Sequence, residues 1–324
     1  MSLLNPNVVG TITNSDLNGA QNVFVLGNYA YVASFDAASL TVVDISNKAN
    51  PTQVGTVTSA ELVQARGVFV QGNYAYVAAQ SYGLVVIDIS TPASPTQVGS
   101  VTSAQLAGAY GIFVIPGVAF VASFNTSRLT SVDISTPSSP AQLDSTTSPD
   151  LNGAISVIVE GNYAYVASST ADSLTVIDVS NPSSLSQVGT VASAQLNGAT
   201  GVAKKGTNIF VSCLAYDGVT VIDVSTPSSP TQIGAVTSAD MNGARGISIL
   251  GNYAFVSSQT SDSLTVVDIS TPASPTQVAT VTDTDLDGAQ GIFTIGNYAF
   301  VASETADSLT AIDISSFIPQ ILMY

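Results

Sequence analysis

In the segment DTDLDG, Asp283 to Gly288, three carboxylates at alternate positions end on a glycine. Hard cations take several oxygen ligands, and glycine allows the sharp turn of a calcium loop, so Asp283, Asp285 and Asp287 form a candidate metal site. The loop lacks the bidentate glutamate of a full EF-hand, because the twelfth position from Asp283 is Thr294. No cofactor is therefore expected, and any calcium here would sit at a weak surface site rather than a catalytic centre.

Most other site chemistry is excluded by composition. The chain has no histidine or tryptophan, and Cys213 is its single cysteine. A Ser-His-Asp triad, a Cys-His pair, a zinc site of His and Cys ligands and an internal disulfide are all impossible. Cys213 has no histidine to deprotonate it and reads as a small packing residue at a strand end. The formal charge of -16, from 22 acidic and six basic residues, argues against nucleic acid and anionic membrane surfaces as partners. No apolar stretch reaches the roughly 18 residues of a membrane span, so no membrane insertion is expected. The N-terminal MSLLNPNVVG has no basic region followed by an apolar run, so no secretory signal is expected from it.

The elements that position these residues come from a repeat of about 45 residues. GNYAYVAS at Gly27 returns as GNYAYVAA at Gly72, GVAFVAS at Gly117, GNYAYVAS at Gly161, GTNIFVSC at Gly206, GNYAFVSS at Gly251 and GNYAFVAS at Gly296. LTVVDIS at Leu40 returns with its aspartate at Asp88, Asp133, Asp178, Asp223, Asp268 and Asp313. PTQVGTV at Pro51 recurs at Pro95, Pro140, Leu185, Pro230 and Pro275, and its remaining copy stands at the other end of the chain as PNVVGTI from Pro6.

Each repeat holds four short segments rich in Val, Ile, Tyr, Phe and Thr, bounded by Gly, Pro, Asn and Ser and too short for helices. Four strands per repeat, seven times, predict an all-β, seven-bladed propeller spanning residues 1–324 as one domain, with four antiparallel strands per blade. An open ring would leave unpaired strand edges. The displaced copy at Pro6 to Ile12 is expected to close it by pairing into the blade formed by Gly291 to Ser315. A β-solenoid or a linear array of sandwiches would leave that displaced strand unexplained.

The blade pattern GNYAYVA, GLVVIDIS and P-x-QVG, clearest in residues 72–99, resembles the LVIVD repeat family. The resemblance implies a propeller without general catalytic activity, used for binding or adhesion, commonly at the cell surface. WD40 and Kelch repeats rely on Trp or His signatures absent here.

The aspartates of the third element read as turn residues that accept hydrogen bonds from their own turns. Variation concentrates on one face. At the start of each inner strand, after a recurring Gly-Ala, stand Gln21, Arg66, Tyr110, Ile155, Thr200, Arg245 and Gln290. The loops between second and third strands open on the same side and carry Phe35, Tyr82, Phe124 and Tyr216. Acidic residues crowd these loops: Asp16, Asp36, Glu61, Asp150, Asp172, Asp217, Asp240, Asp262, Glu304 and Asp307, besides the three at 283–287. A negative top face is therefore expected, with aromatics for protein or sugar contact. Arg66 and Arg245, at the channel mouth, suit an anion or acidic side chain.

In the fifth repeat, Lys204 replaces an inner-strand valine and is expected to reach channel water. The apolar tail, residues 316–324, is expected to cover the bottom face or an edge, or to meet a partner.

The ligand-binding candidates are thus Gln21, Arg66, Tyr110, Thr200, Arg245, Gln290, Phe35, Tyr82, Phe124 and Tyr216, with no catalytic residues. The function expected is non-enzymatic recognition of a protein or carbohydrate. The alternatives are a structural subunit of a larger assembly, such as a virion or surface layer, and a calcium-dependent hydrolase of the propeller lactonase type.

Overall fold

In the computed structural model, which describes residues 5–318, the chain forms seven four-stranded antiparallel sheets arranged as blades around a channel. Blade 1 comprises Ala20–Leu26, Tyr29–Ser34, Ser39–Asp44 and Thr52–Thr58, from channel to rim. Blades 2 to 6 repeat this order. Blade 7 takes Ala289–Ile295, Tyr298–Ser303 and Ser308–Asp313 from the end of the described chain and its outer strand, Asn7–Thr13, from the beginning. The register runs from Asn7 opposite Asp313 to Thr13 opposite Ser308. The displaced repeat element therefore closes the ring.

The second strands explain why these segments read as continuous apolar runs. In Tyr29–Ser34, Ala30, Tyr31, Val32 and Ala33 are all buried, because both faces of each blade pack on neighbours. The core accordingly lies between blades. Tyr31, Leu40 and Val42 of blade 1, for example, join Val68, Val70 and Ala75 of blade 2 in one cluster. The loop before each inner strand pins a fully buried side chain beneath it, namely Leu17, Leu62, Leu106, Leu151, Leu196, Met241 and Leu286. Its carbonyl is held from the third strand: the Ser39 and Thr41 hydroxyls donate to the Asp16 carbonyl at 2.7 and 3.0 Å. Blades 4, 6 and 7 repeat the pair.

At the opposite face, the third-strand aspartates act as turn acceptors. Asp44, Asp88, Asp133, Asp178, Asp223, Asp268 and Asp313 each accept the backbone N–H two residues on, at 2.8–2.9 Å. The Ser46 N–H and then its side chain hold the Asp44 carboxyl below its ordinary pKa. The following serines do the same, side chain first, for Asp88, Asp133 and Asp178. A depressed folded pKa stabilises the fold above the unfolded value near 3.9, and that contribution disappears as pH falls through the folded value. The melting temperature should accordingly be flat near neutrality and fall below about pH 4; asparagine at these four positions should flatten the acid limb of a calorimetric pH series.

Ser34, Ser123, Ser168, Ser258 and Ser303 end the second strands fully buried, with hydroxyls that have no protein partner. Blade 2 has Ala79 at the equivalent position, and blade 5 has Cys213. An unpaired buried hydroxyl stabilises nothing, so Ser168→Ala should leave stability within about 0.5 kcal/mol or raise it. Denaturant unfolding of the variant measures this directly.

Candidate functional site

The seven variable residues share a local backbone cause. In every blade the pairing of inner and second strands slips at the second inner-strand position: between Ala20 and Asn22, Ala65 and Gly67, Ala109 and Gly111, Ala154 and Ser156, Ala199 and Gly201, Ala244 and Ile247, and Ala289 and Ile292. A bulge leaves a residue unpaired and re-aims its side chain. Gln21, Arg66, Tyr110, Ile155, Thr200, Arg245 and Gln290 occupy these bulges, and all seven line one cavity of about 200 Å³ at the channel mouth. Deeper along the same strands, Phe293, Phe24, Phe69 and Phe113 of blades 7, 1, 2 and 3 form an arc of tilted rings with centroids 4.8–4.9 Å apart.

Arg66 is the most constrained mouth residue. Its Nε donates to Gln80 Oε1 at 3.1 Å, and one terminal nitrogen donates to Gln21 Oε1 at 2.6 Å and approaches the Tyr110 hydroxyl at 3.4 Å. The guanidinium lies 4.1 Å from the Phe35 ring centroid and 4.8 Å from that of Tyr110, so blades 1 and 3 both hold it through cation–π contact. Across the ring, Arg245 Nε donates to Gln259 Oε1 at 3.0 Å. Gln259 and Gln290 both donate to Glu304 Oε2, at 3.4 and 2.5 Å. Gln80 and Gln259 are not among the sequence candidates, and Glu304 is among them only as one of the loop acids. Each stands 14 residues beyond the bulge residue that it contacts, an offset that the repeat alignment contains.

The remaining candidates divide. Thr200 lines the cavity but is 3% exposed, and its hydroxyl faces the Ser212, Ala244 and Arg245 carbonyls at 3.0–3.1 Å, where it joins blades 5 and 6. Ile155 is buried as an apolar wall. Tyr82 and Tyr216 pack against the blade cores, outside the cavity lining. Phe124 is exposed on the rim.

Most carboxylates of the acidic face are hydrogen-bonded into the scaffold. Gln53, Gln187 and Gln277 of the outer strands donate to Asp16, Asp150 and Asp240 at 2.5–2.6 Å, and Gln97 donates to Glu61. Asp172, Asp217, Asp262 and Asp307 have left-handed backbones, with φ of 49–57°, a region that aspartate tolerates better than most residues. Their Oδ1 atoms accept the N–H groups of Gly198, Gly243, Gly288 and Gly19 at 2.8–3.1 Å, each clasping the next blade. The Asp307–Gly19 clasp crosses the ring closure.

The three aspartates of the metal candidate also serve their own turn. Asp283 caps a short 3-10 turn and accepts the Asp285 N–H at 3.0 Å, while Asp287 terminates that turn. Among the described residues no three His, Cys, Asp or Glu side chains group in a way that would hold a metal ion. No carboxylate is among the residues that line the mouth cavity. Lys204 has a protein partner as well: its amine pairs with Glu160 of blade 4 at 2.6 Å and donates to the Gly206 carbonyl. Cys213 is buried at the end of its strand, and burial pushes its thiol pKa up to about 12. Phe317 packs edge-on against Tyr253 and Phe255, so the start of the tail covers blades 6 and 7; residues 319–324 lie outside the described chain.

The LVIVD repeat matches residues 19–59, 64–103, 109–147, 153–193, 212–238, 243–283 and 288–317, one segment per blade. The chain belongs to the LVIVD repeat family. The match in blade 5 omits the inner strand that carries Lys204 and Lys205, where this LVIVD protein leaves its own pattern. No curated protein matches it. Among solved structures, it is similar to a functionally unknown protein from Desulfotomaculum acetoxidans, with 13% identity, a TM-score of 0.70, and 93% of this chain and 99% of that one covered. The WD40 β-propeller domain of Doa1 gives 11% identity and a TM-score of 0.73, over 96% and 97% of the two chains. The computationally designed Ika8 protein gives 8% identity and a TM-score of 0.64, over 95% and 99%. These likenesses concern the fold alone.

Proposed function

We propose that this LVIVD protein is a non-enzymatic recognition module that binds a protein or glycan partner at the channel mouth and the rim around it, in adhesion, surface attachment or assembly. One observation carries the reading. In a chain whose blades otherwise repeat, the bulge position carries five residue types in seven blades, and all seven residues line one cavity. A scaffold needs no such diversity at equivalent positions, whereas recognition does. The rim adds exposed Phe124 and the stacked pair Phe35 and Arg66, residue types suited to contacts with sugars and proteins. Because most loop carboxylates accept hydrogen bonds from the scaffold, the contact surface is the mouth with its rim aromatics, not the acidic loops as a whole.

A glycan array and a pull-down with the intact chain test this reading. A partner should be captured by the wild type and lost by the Arg66→Ala/Tyr110→Ala/Arg245→Ala variant at an unchanged circular dichroism spectrum. Equal capture by both would reject the mouth as the binding site.

The structural-subunit reading has one observation of its own. The seven outer strands carry a single charged residue, Asp144, and uncharged strand edges favour lateral association. Each is bulged, which blunts such pairing. Light scattering that finds a monomer at high concentration would remove this reading.

A further inference from the structure

The chemistry of the mouth narrows what it takes. Among the described residues, Lys204–Glu160 is the one ion pair, so Arg66 and Arg245 lack a carboxylate partner in a protein of net charge -16. Both occupy the same repeat position, in blades 2 and 6, and both line the same cavity. Both are oriented through Nε by a glutamine 14 residues on, Gln80 and Gln259. That arrangement fixes Nε of each guanidinium. Both terminal nitrogens of Arg245 lack a protein acceptor, whereas at Arg66 one is taken by Gln21 and Tyr110 and the other is without one.

Between them, on the shorter arc of the ring, stand Gln290 of blade 7 and Gln21 of blade 1. Gln21 is 5% exposed; its Oε1 is taken by Arg66, and its Nε2 has no partner. Four consecutive blades therefore bring donors to one arc, and a buried donor within it is unsatisfied. Such a group costs stability, and a ligand oxygen at the mouth would satisfy it.

We propose that the channel mouth binds a small organic carboxylate, with Arg66 and Arg245 as its charge partners. This rests on the recognition reading and names the ligand chemistry of the same site. A guanidinium edge matches the two oxygens of a carboxylate. A cavity of about 200 Å³ suits a small molecule or the tip of one acidic side chain. Glu304, held by Gln290 and Gln259 on the same arc, disfavours multiply charged anions such as phosphate by repulsion.

Titration calorimetry of the full chain with acetate, succinate, glutamate, sulfate and phosphate, in a buffer free of other oxyanions, tests the proposal. At least one carboxylate should bind more tightly than sulfate and phosphate. Its affinity should fall about tenfold or more in Arg66→Gln and in Arg245→Gln. Arg128→Gln, outside the mouth, should bind as the wild type does. Thermal melts of the unliganded variants establish that they fold. Absence of heat with every carboxylate, preference for sulfate or phosphate, or undiminished binding in the double variant would overturn the proposal. The two readings fail separately: if the double variant loses the carboxylate and still captures the macromolecular partner, the carboxylate site stands and the mouth is not the partner surface.

Discussion

Deleting Asn7–Thr13 should open the ring and lower the melting temperature by about 10 °C or more. The strand supplies the outer edge of blade 7, pairing from Asn7 opposite Asp313 to Thr13 opposite Ser308. Val9 and Ile12 pack against the cluster shared by blades 7 and 1, and Val8 against the one shared by blades 6 and 7. Three partly buried apolar side chains and a full set of ladder hydrogen bonds amount to roughly 5 kcal/mol or more. The loss also exposes the edge of Ser308–Asp313, so aggregation should accompany it. Moving the strand to follow Asp313 through a copy of the STPASP turn should restore the melt, because the blade is then continuous. A truncated chain that melts like the wild type would show that the ring closes without the displaced strand.

Gly111→Val should be nearly as damaging, although it is a single substitution. Inner strands approach most closely beside the channel, and a Cβ on Gly111 would lie 2.3 Å from the Ile155 carbonyl oxygen and 2.9 Å from Ser156 Cα. Those atoms are backbone of the next blade, so the blade itself must shift, at a cost of about 3 kcal/mol or more. Ile155 is a mouth residue, and carboxylate binding should weaken along with stability. Gly27→Ala is the informative contrast. Its φ is +61° with nothing within 4 Å of the added methyl, so only the left-handed backbone is penalised, by about 1–2 kcal/mol. Urea titrations of both variants separate the two causes.

Much of this architecture was legible because a propeller repeats its reasons. The apolar runs, the Gly-Asn turns and the displaced PNVVGTI each follow from local chemistry that recurs every 45 or so residues. The mouth residues were legible by position alone, since repeat alignment placed them together without saying what held them. Their partners were not. Gln80 and Gln259 act through contacts set by the folded loop, and no local pattern distinguishes a positioning glutamine from a solvated one.

The partners of the acidic residues were illegible for a related reason. Asp172 reads like any surface aspartate, yet its carboxylate accepts the Gly198 N–H of the following blade at 2.8 Å. A carboxylate bonded across blades and one bonded to water have the same sequence. The DTDLDG loop illustrates both sides: its leucine and glycine recur in all copies but one each, where Met241 and Gln64 stand instead, while Asp283 replaces the serine or asparagine that begins this turn elsewhere. Lys204 likewise found Glu160, on the neighbouring inner strand.

The most direct test of the recognition reading is the equilibrium affinity of a captured partner for three proteins of equal melting temperature. These are the wild type, the Arg66→Ala/Tyr110→Ala/Arg245→Ala mouth variant, and a variant of the opposite face, Lys205→Ala/Asn252→Ala, whose side chains bond to each other at 2.6 Å. The prediction is a loss of about a hundredfold or more in the mouth variant, in keeping with removal of a central arginine and aromatic cluster, and no change in the opposite-face variant. Equal affinity of the mouth variant and the wild type would contradict it.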